Sequence, residues 1–374
     1  AFGIAFNLFL IGYFKYKNFF VENMNIFLEF EPSTNTIVLP IGISFFTFQQ
    51  IAYLVDLKKK RAPLYGLLDY SVFISFFPQL IAGPIVRHSE FMPQLMKNPL
   101  RDGLSERLSR GLTLLTIGLA KKIIFADTLG KHVNSVFDIA KSMPPSLSES
   151  WSGTIAFSLQ IYFDFSAYSD MAIGLGLLFG FILPINFNSP YKARSLQEFW
   201  RRWHITLSNF LRDYLYIPLG GNRYGFVRQV SAAFITMSLC GLWHGAGWTF
   251  VIWGVWHGAG LIAGITWNKF FTNHLQFRIP GFFSWFITLF FVTLGWVFFR
   301  AEDFLTISNM FQAMSDYKPS EVDSANFLRK WHLVFALVIV LFFPNSQKLA
   351  LNGNYDNRLT AIFLGLILTA LFLE

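Results

Sequence analysis

Cysteine is almost missing: Cys240 is the sole one in 374 residues, which excludes an internal disulfide and any cysteine metal cluster. Charge is sparse, at 14% of residues against 53% hydrophobic, an apolar share beyond that of soluble domains. No GxxxxGKS/T loop occurs, which argues against ATP-driven transport by this chain alone. No HExxH helix is present either, and His244 and His257 are not at i, i+4 spacing, so no metal site is expected. A G-x-S-x-G elbow is also missing. There is no fixed-period repeat, heptad run, low-complexity tract or soluble domain.

What is abundant is apolar sequence. Mean hydropathy is +0.44, and several windows of about 20 residues carry almost no charge, the criterion for membrane spans. The chain therefore reads as an all-α polytopic membrane protein, one membrane-embedded unit over 1–374. Its 30 basic against 22 acidic residues suit cytoplasmic loops rich in Lys and Arg, and no nucleic-acid partner is needed to explain them. The sequence starts at Ala1, already apolar and without a signal-peptide pattern. The expectation is that further N-terminal helices precede it in the whole protein.

Taken in order, residues 1–20 read as a span with Lys15 and Lys17 snorkelling at one end. Residues 37–57 form a second, broken early by Pro40 and followed by the basic run Lys58 to Arg61, which places that loop in the cytoplasm. Pro78 and Gly83-Pro84 predict a broken or re-entrant helix over 66–86. Residues 89–110 read as a polar surface helix and 111–126 as apolar but for Lys121 and Lys122. A polar loop is expected over 131–151, then a long apolar segment, 152–184, containing Asp164 and Asp170. These aspartates read either as caps and buried hydrogen-bonding groups or as the lining of a polar path. After 258, a span is predicted at 281–300, a polar stretch at 301–330, and short apolar segments at 331–344 and 358–373. The sum is eight to ten embedded segments, some not crossing fully.

Residues 195–258 organise the rest. SLQEFWRRWHITLSNFLRDYLYIPLGGNR, taken as one helix, places Phe199, Trp200, Trp203, His204, Leu207, Phe210, Leu211, Tyr214 and Leu215 on one side. Arg201, Arg202, Ser208, Asn209, Arg212 and Asp213 fall on the other. GLWHGAGWTFVIWGVWHG then crowds Trp243, Trp248, Trp253 and Trp256 among glycines, with His244 at membrane depth. A charged imidazole there costs at least about 2.5–3.5 kcal/mol, so it stays neutral, faces a wet cavity, or both. A neutral histidine near its unperturbed pKa of ~6.5 suits proton abstraction from a hydroxyl. The bland alternative is a histidine bonded to a backbone carbonyl. Arg201, Arg202 and Arg212 match phosphate oxygens bidentately, or simply meet lipid headgroups. Intramembrane Asp and His also fit a proton-coupled transporter, although no inverted repeat with paired broken helices is visible. A third reading is a scaffold recruiting partners through its Trp-rich surface.

Six stretches, PIGISFFTFQQIAYLVD (40–56), FFPQLIAGPIVRHSEF (76–91), IYFDFSAYSDMAIGL (161–175), the 186–223 segment, the 241–258 segment and LGWVFFRAE (294–302), resemble the membrane-bound O-acyltransferase (MBOAT) family. The resemblance covers about 36 to 302 and is strongest to the alginate O-acetylase branch of bacterial polysaccharide and peptidoglycan acetylases. It implies a helical bundle with tilted and re-entrant helices around a central tunnel. It also implies transfer of an acetyl group from a cytoplasmic thioester, acetyl-CoA, to a hydroxyl of an extracytoplasmic polysaccharide, with no bound cofactor. A periplasmic or extracellular acetyltransferase partner completes the transfer, and the location implied is the bacterial inner membrane. By that resemblance His244 is the near-universal histidine, and His204 fills a partner position that is Asn, Asp or His according to branch. His257, Asp164, Asp170 and Asn209 are possible supporting residues, Asn186 and Asn188 match without a role, and Arg201, Arg202, Arg212, Trp203 and Trp243 are candidates for holding the donor.

Overall fold

Every regular element among the described residues is helical. The computed structural model describes residues 2–28, 38–81, 83–272, 274–316, 331–352, 362, 365 and 366, so the expected apolar segment 358–373 lies largely outside them. Helices α1 (Phe2–Ile11) and α2 (Lys17–Leu28) flank a widened π-type turn, Gly12–Tyr16. Next come α3 (Ile43–Lys58), α4 (Leu67–Ser75) and α5 (Phe77–Leu80). The predicted break in 66–86 is present: Phe76 is extended, and Pro78 falls in the first turn of α5, where its missing N–H costs nothing. Helix α6 (His88–Leu95) and α7 (Leu104–Ala120) lead through a second π-type turn, Lys121–Asp127, into α8 (Thr128–Ala140).

Helix α8 corrects the polar loop expected at 131–151. Val133, Val136, Phe137 and Ala140 follow helical spacing and are buried, so an apolar stripe outweighs the polar composition; only the Pro144-Pro145 connection remains a loop. Ser146 then caps α9 (Leu147–Leu178) in a reciprocal box with Glu149. Its 32 residues make it about 48 Å long at 1.5 Å per residue.

Helices α10 (Leu196–Arg202), α11 (Ile205–Leu211), α12 (Gly225–His244), α13 (Trp248–Trp267), α14 (Gly281–Arg300), α15 (Phe304–Ser315), α16 (Trp331–Phe342) and α17 (Ser346–Asn352) complete the chain. Among the described residues three helices are long and apolar enough to cross a membrane, namely α12, α13 with its continuation to Thr272, and α14, which matches the predicted span residue for residue. Phe282, Phe283, Phe286 and Phe290 stand exposed on α14, a face whose cost in water, about 25 cal/mol per Å², vanishes in lipid.

Both aspartates of α9 are paired, and differently. Asp170 is fully buried; Lys121 Nζ donates to it at 2.8 Å and Gln347 Nε2 at 2.5 Å, with Ser346 on the same carboxylate. It ties α17 to α9 and is spent on that tie. Asp164 is half exposed and shares Lys122 with Asp127, at 2.8 and 2.7 Å. Neither touches a histidine ring among the described residues. Asp170→Ala leaves a buried ammonium unpaired and should cost about 3–5 kcal/mol. Asp164→Ala should cost no more than about 1 kcal/mol, so thermal melts of the two detergent-solubilised variants should separate clearly.

Candidate active site

Helices α12 and α13 form a hairpin whose backbones touch. A methyl group on Gly254 would come within 2.5 Å of the Met237 carbonyl, and one on Gly241 would strike the Phe250 carbonyl. Only glycine permits this approach, and it brings His244, at the end of α12, beside the first turns of α13. The ring centroid of His244 lies 5.1 Å from Trp253, 4.9 Å from Trp243 and 5.2 Å from Phe299. Its residue keeps partial exposure. The last carbonyls of α12 are held from the N-terminal segment: Tyr16 donates its hydroxyl to Leu242 O at 2.7 Å, and Lys15 Nζ donates to Trp243 O and to His244 O, the latter at 3.3 Å. A cation at a helix C-terminus is favourable. Lys15 therefore does not snorkel outward as expected but caps the helix that carries His244.

The single helix expected over 199–215 is broken. Trp203 is extended and His204 adopts the left-handed conformation, φ 43°. Loop 186–188 explains the break, because Asn188 N donates to Arg202 O and Ile205 N to Asn186 O, both at 2.9 Å. That pairing replaces helix bonds at the turn, and histidine is among the residues that tolerate positive φ. The Asn186 amide is oriented by Thr206, whose backbone N–H and hydroxyl both donate to Oδ1 at 3.3 and 2.9 Å. His204 Nδ1 lies 3.1 Å from the same oxygen, so it must carry the proton. Nε2 is then a lone-pair acceptor. It is buried and unpartnered.

Two indoles connect the histidines. Trp243 neighbours His204 at 6.5 Å as well as His244, and Trp253 neighbours His257 at 4.8 Å as well as His244. His257 is fully buried between Trp253 and Trp200, with neither ring nitrogen partnered. With His204 Nε2 and the indole nitrogens of Trp200, Trp243 and Trp253, six buried ring nitrogens here lack partners. Left unpaired they would cost on the order of 10 kcal/mol, comparable to a domain's whole stability. Any small polar group that reaches these nitrogens gains their hydrogen bonds. Among the described residues no three His, Cys, Asp or Glu side chains converge as a metal site.

The other predicted residues divide. Arg201 and Arg212 line one cavity of about 350 Å³ with Trp200, Thr236 and Met237 at its wall. It does not include His244, which is seven residues further along α12 than Met237, about 10 Å. Arg212 also bonds Asp213 at 2.7 Å, and Arg87 bonds the same carboxylate at 2.7 Å; burial raises the Asp213 pKa, but the two guanidinium groups outweigh it and the net shift is downward. Arg202 is held by Glu198 at 2.6 Å, and Trp203 is packed on Trp296, centroids 5.0 Å apart. Asn209 is half-buried on α11 and takes no part in the contacts that join the histidines. Sequence reasoning missed Lys15 and Tyr16, whose partners lie 229 and 226 residues away, and Thr206, whose bond to Asn186 exists only because the chain breaks at Trp203-His204.

Residues 8–308 match the model of the MBOAT, membrane-bound O-acyltransferase family. The chain is 45% identical to the peptidoglycan O-acetyltransferase of Helicobacter pylori, over 80% of this chain and 61% of that protein. It is 41% identical to the probable alginate O-acetylase of Pseudomonas aeruginosa, over 92% and 66% respectively. A teichoic acid D-alanyltransferase of Streptococcus thermophilus is 28% identical over 68% of this chain and 65% of its own length. The chain thus spans somewhat under two thirds of the length of these relatives.

Gly254→Leu should force α12 and α13 apart at a cost of about 1–3 kcal/mol or more. The check is a lowered melting temperature and a change in the quenching of Trp253, which lies 5.1 Å from His244, with Gly247→Ala, whose nearest neighbour is at 3.7 Å, behaving as wild type.

Proposed function

This chain belongs to the membrane-bound O-acyltransferase family, and on that premise we propose that it is an O-acetyltransferase. The donor is a cytoplasmic thioester, acetyl-CoA. The acceptor is a hydroxyl of an extracytoplasmic polysaccharide, alginate-like or peptidoglycan, reached through a periplasmic or extracellular acetyltransferase partner. The membrane is the bacterial inner membrane. The observation that carries this reading is the run His204–Trp243–His244–Trp253–His257, with its unpartnered ring nitrogens inside an aromatic wall.

In this mechanism the donor's phosphates rest on Arg201 and Arg212, and its thioester arm runs past Trp200 toward His257. The acceptor comes from the partly exposed side of His244. His244 removes the acceptor's hydroxyl proton as oxygen attacks the thioester carbon. The tetrahedral oxyanion takes hydrogen bonds from the Trp243 and Trp253 indole N–H groups, donors fixed by packing. Collapse expels the thiolate, which receives the proton from His244, so atoms and charge balance. His204 is a poor oxyanion donor, because Asn186 leaves its Nε2 as an acceptor; it instead accepts from a second, neighbouring hydroxyl of the incoming acceptor and so orients the one that reacts. The transporter alternative loses its relay, since Asp170 is committed to Lys121 and α17 and Asp164 to Lys122.

Purified protein supplied with labelled acetyl-CoA and acceptor tests the proposal. His244→Ala should lower kcat by about 10²–10⁴ while the protein still accumulates in the membrane. Trp253→Phe should lower kcat by about 10²-fold. Arg201→Gln with Arg212→Gln should raise KM for the donor and spare kcat. Undiminished acetylation by His244→Ala removes the assignment.

A further inference from the structure

A second cleft, of about 450 Å³, opens where the C-terminal end of α13 meets the N-terminal end of α14. Trp267, Ile287 and Phe291 give it an apolar lining, and the exposed Arg194 and Arg278 line it as well. The Arg194 guanidinium lies against Gly281, the first residue of α14; a Cβ there would be 3.1 Å from Nη1. Positive charge at that end of a helix is repelled by the helix dipole. Glu198 is near enough to be felt, but it makes no direct ion pair with the Arg194 guanidinium. Glu198 gives one oxygen to the backbone N–H of Arg194 and the other to Arg202. No Asp or Glu occurs anywhere between Asp213 and Glu302 in the chain, and Arg278 enters no ion pair among the described residues.

Two exposed guanidinium groups with no direct ion pair among the described residues, over an apolar cleft at the ends of two helices long and apolar enough to cross a membrane, match a molecule that is anionic at one end and hydrocarbon at the other. We infer that this cleft binds an anionic phospholipid. The phosphate rests between Arg194 and Arg278, where guanidinium geometry suits its oxygens, and an acyl chain lies along Trp267, Ile287 and Phe291. Gln197 lines this cleft and also the cavity under Trp200, so the lipid is a neighbour of the proposed donor route, but the inference does not require acetyl transfer.

The test uses the full chain in detergent, exposed to equal amounts of phosphatidylglycerol and phosphatidylcholine and read by native mass spectrometry. Wild type should retain phosphatidylglycerol preferentially. R194Q/R278Q should reduce that preference about 30-fold, the ratio for two basic contacts at a membrane surface, and R194K/R278K should keep most of it. Ala263 lines the cleft and is exposed; A263F keeps both arginines, fills the apolar part, and should also weaken retention. A melting curve and elution profile like wild type identify the variants as folded, which is expected because both arginines are exposed. Equal retention of the two lipids by wild type, or undiminished preference in R194Q/R278Q, overturns the inference. Displacement of the lipid by inorganic phosphate, by CoA or by an oligouronate also overturns it, assigning the arginines to a free anion, to the donor or to an acidic polymer.

Discussion

The direct contact of α12 with α13 at Gly241 and Gly254 is the constraint from which the centre of the molecule follows. With side chains there, the helices would separate by the width of a methyl group or more. His244 would then lose Trp253, and the indoles could no longer bridge three imidazoles. The hairpin also sets where α10 and α14 pack, because Trp253 meets Trp200 on one side and Trp296 on the other. Dispersion across these rings is small per atom pair but accumulates over such large surfaces.

Around this apolar centre, several of the described charges are held in pairs. Lys121 and Asp170, Lys122 with two carboxylates, and Arg87 with Asp213 all place a cation on an acid. Among the described residues π-type turns occur at Gly12–Tyr16, Lys121–Asp127, Arg212–Tyr216 and Asn268–Thr272, and the first three carry such groups or the Lys15 cap. A π-type turn inserts an extra residue into the helix, which re-aims the side chains that follow.

Much of this was legible beforehand. Residues 281–300 and the break near Pro78 are each specified by local composition, which is why hydropathy and breakers find them; the crowding of Trp, Gly and His over 241–258 was visible too, but not that it closes a helical hairpin. The kink at Trp203-His204 was not, because the 199–215 stripe is helical by pattern and is overruled by backbone pairing with Asn186 and Asn188. The helix at 128–140 hid because its buried face is narrow and its remaining residues are polar. For Asp170 the sequence left two readings open, and only the docking of Ser346 and Gln347, far along the chain, selects the hydrogen-bonded one. Long-range partners leave no trace in a local window.

The left-handed backbone at His204 acts as a sieve on substitution. Most residues pay about 1–2 kcal/mol to adopt it, while Asn and Asp, like His, adopt it readily. Each of those two is also a single base change from either histidine codon. A lineage exploring this position can therefore trade the ring for a shorter amide or carboxylate without disturbing the turn, but has no cheap step to an apolar side chain. Variation at this position is thereby channelled into polar choices by the shape of the main chain alone, before any selection on turnover.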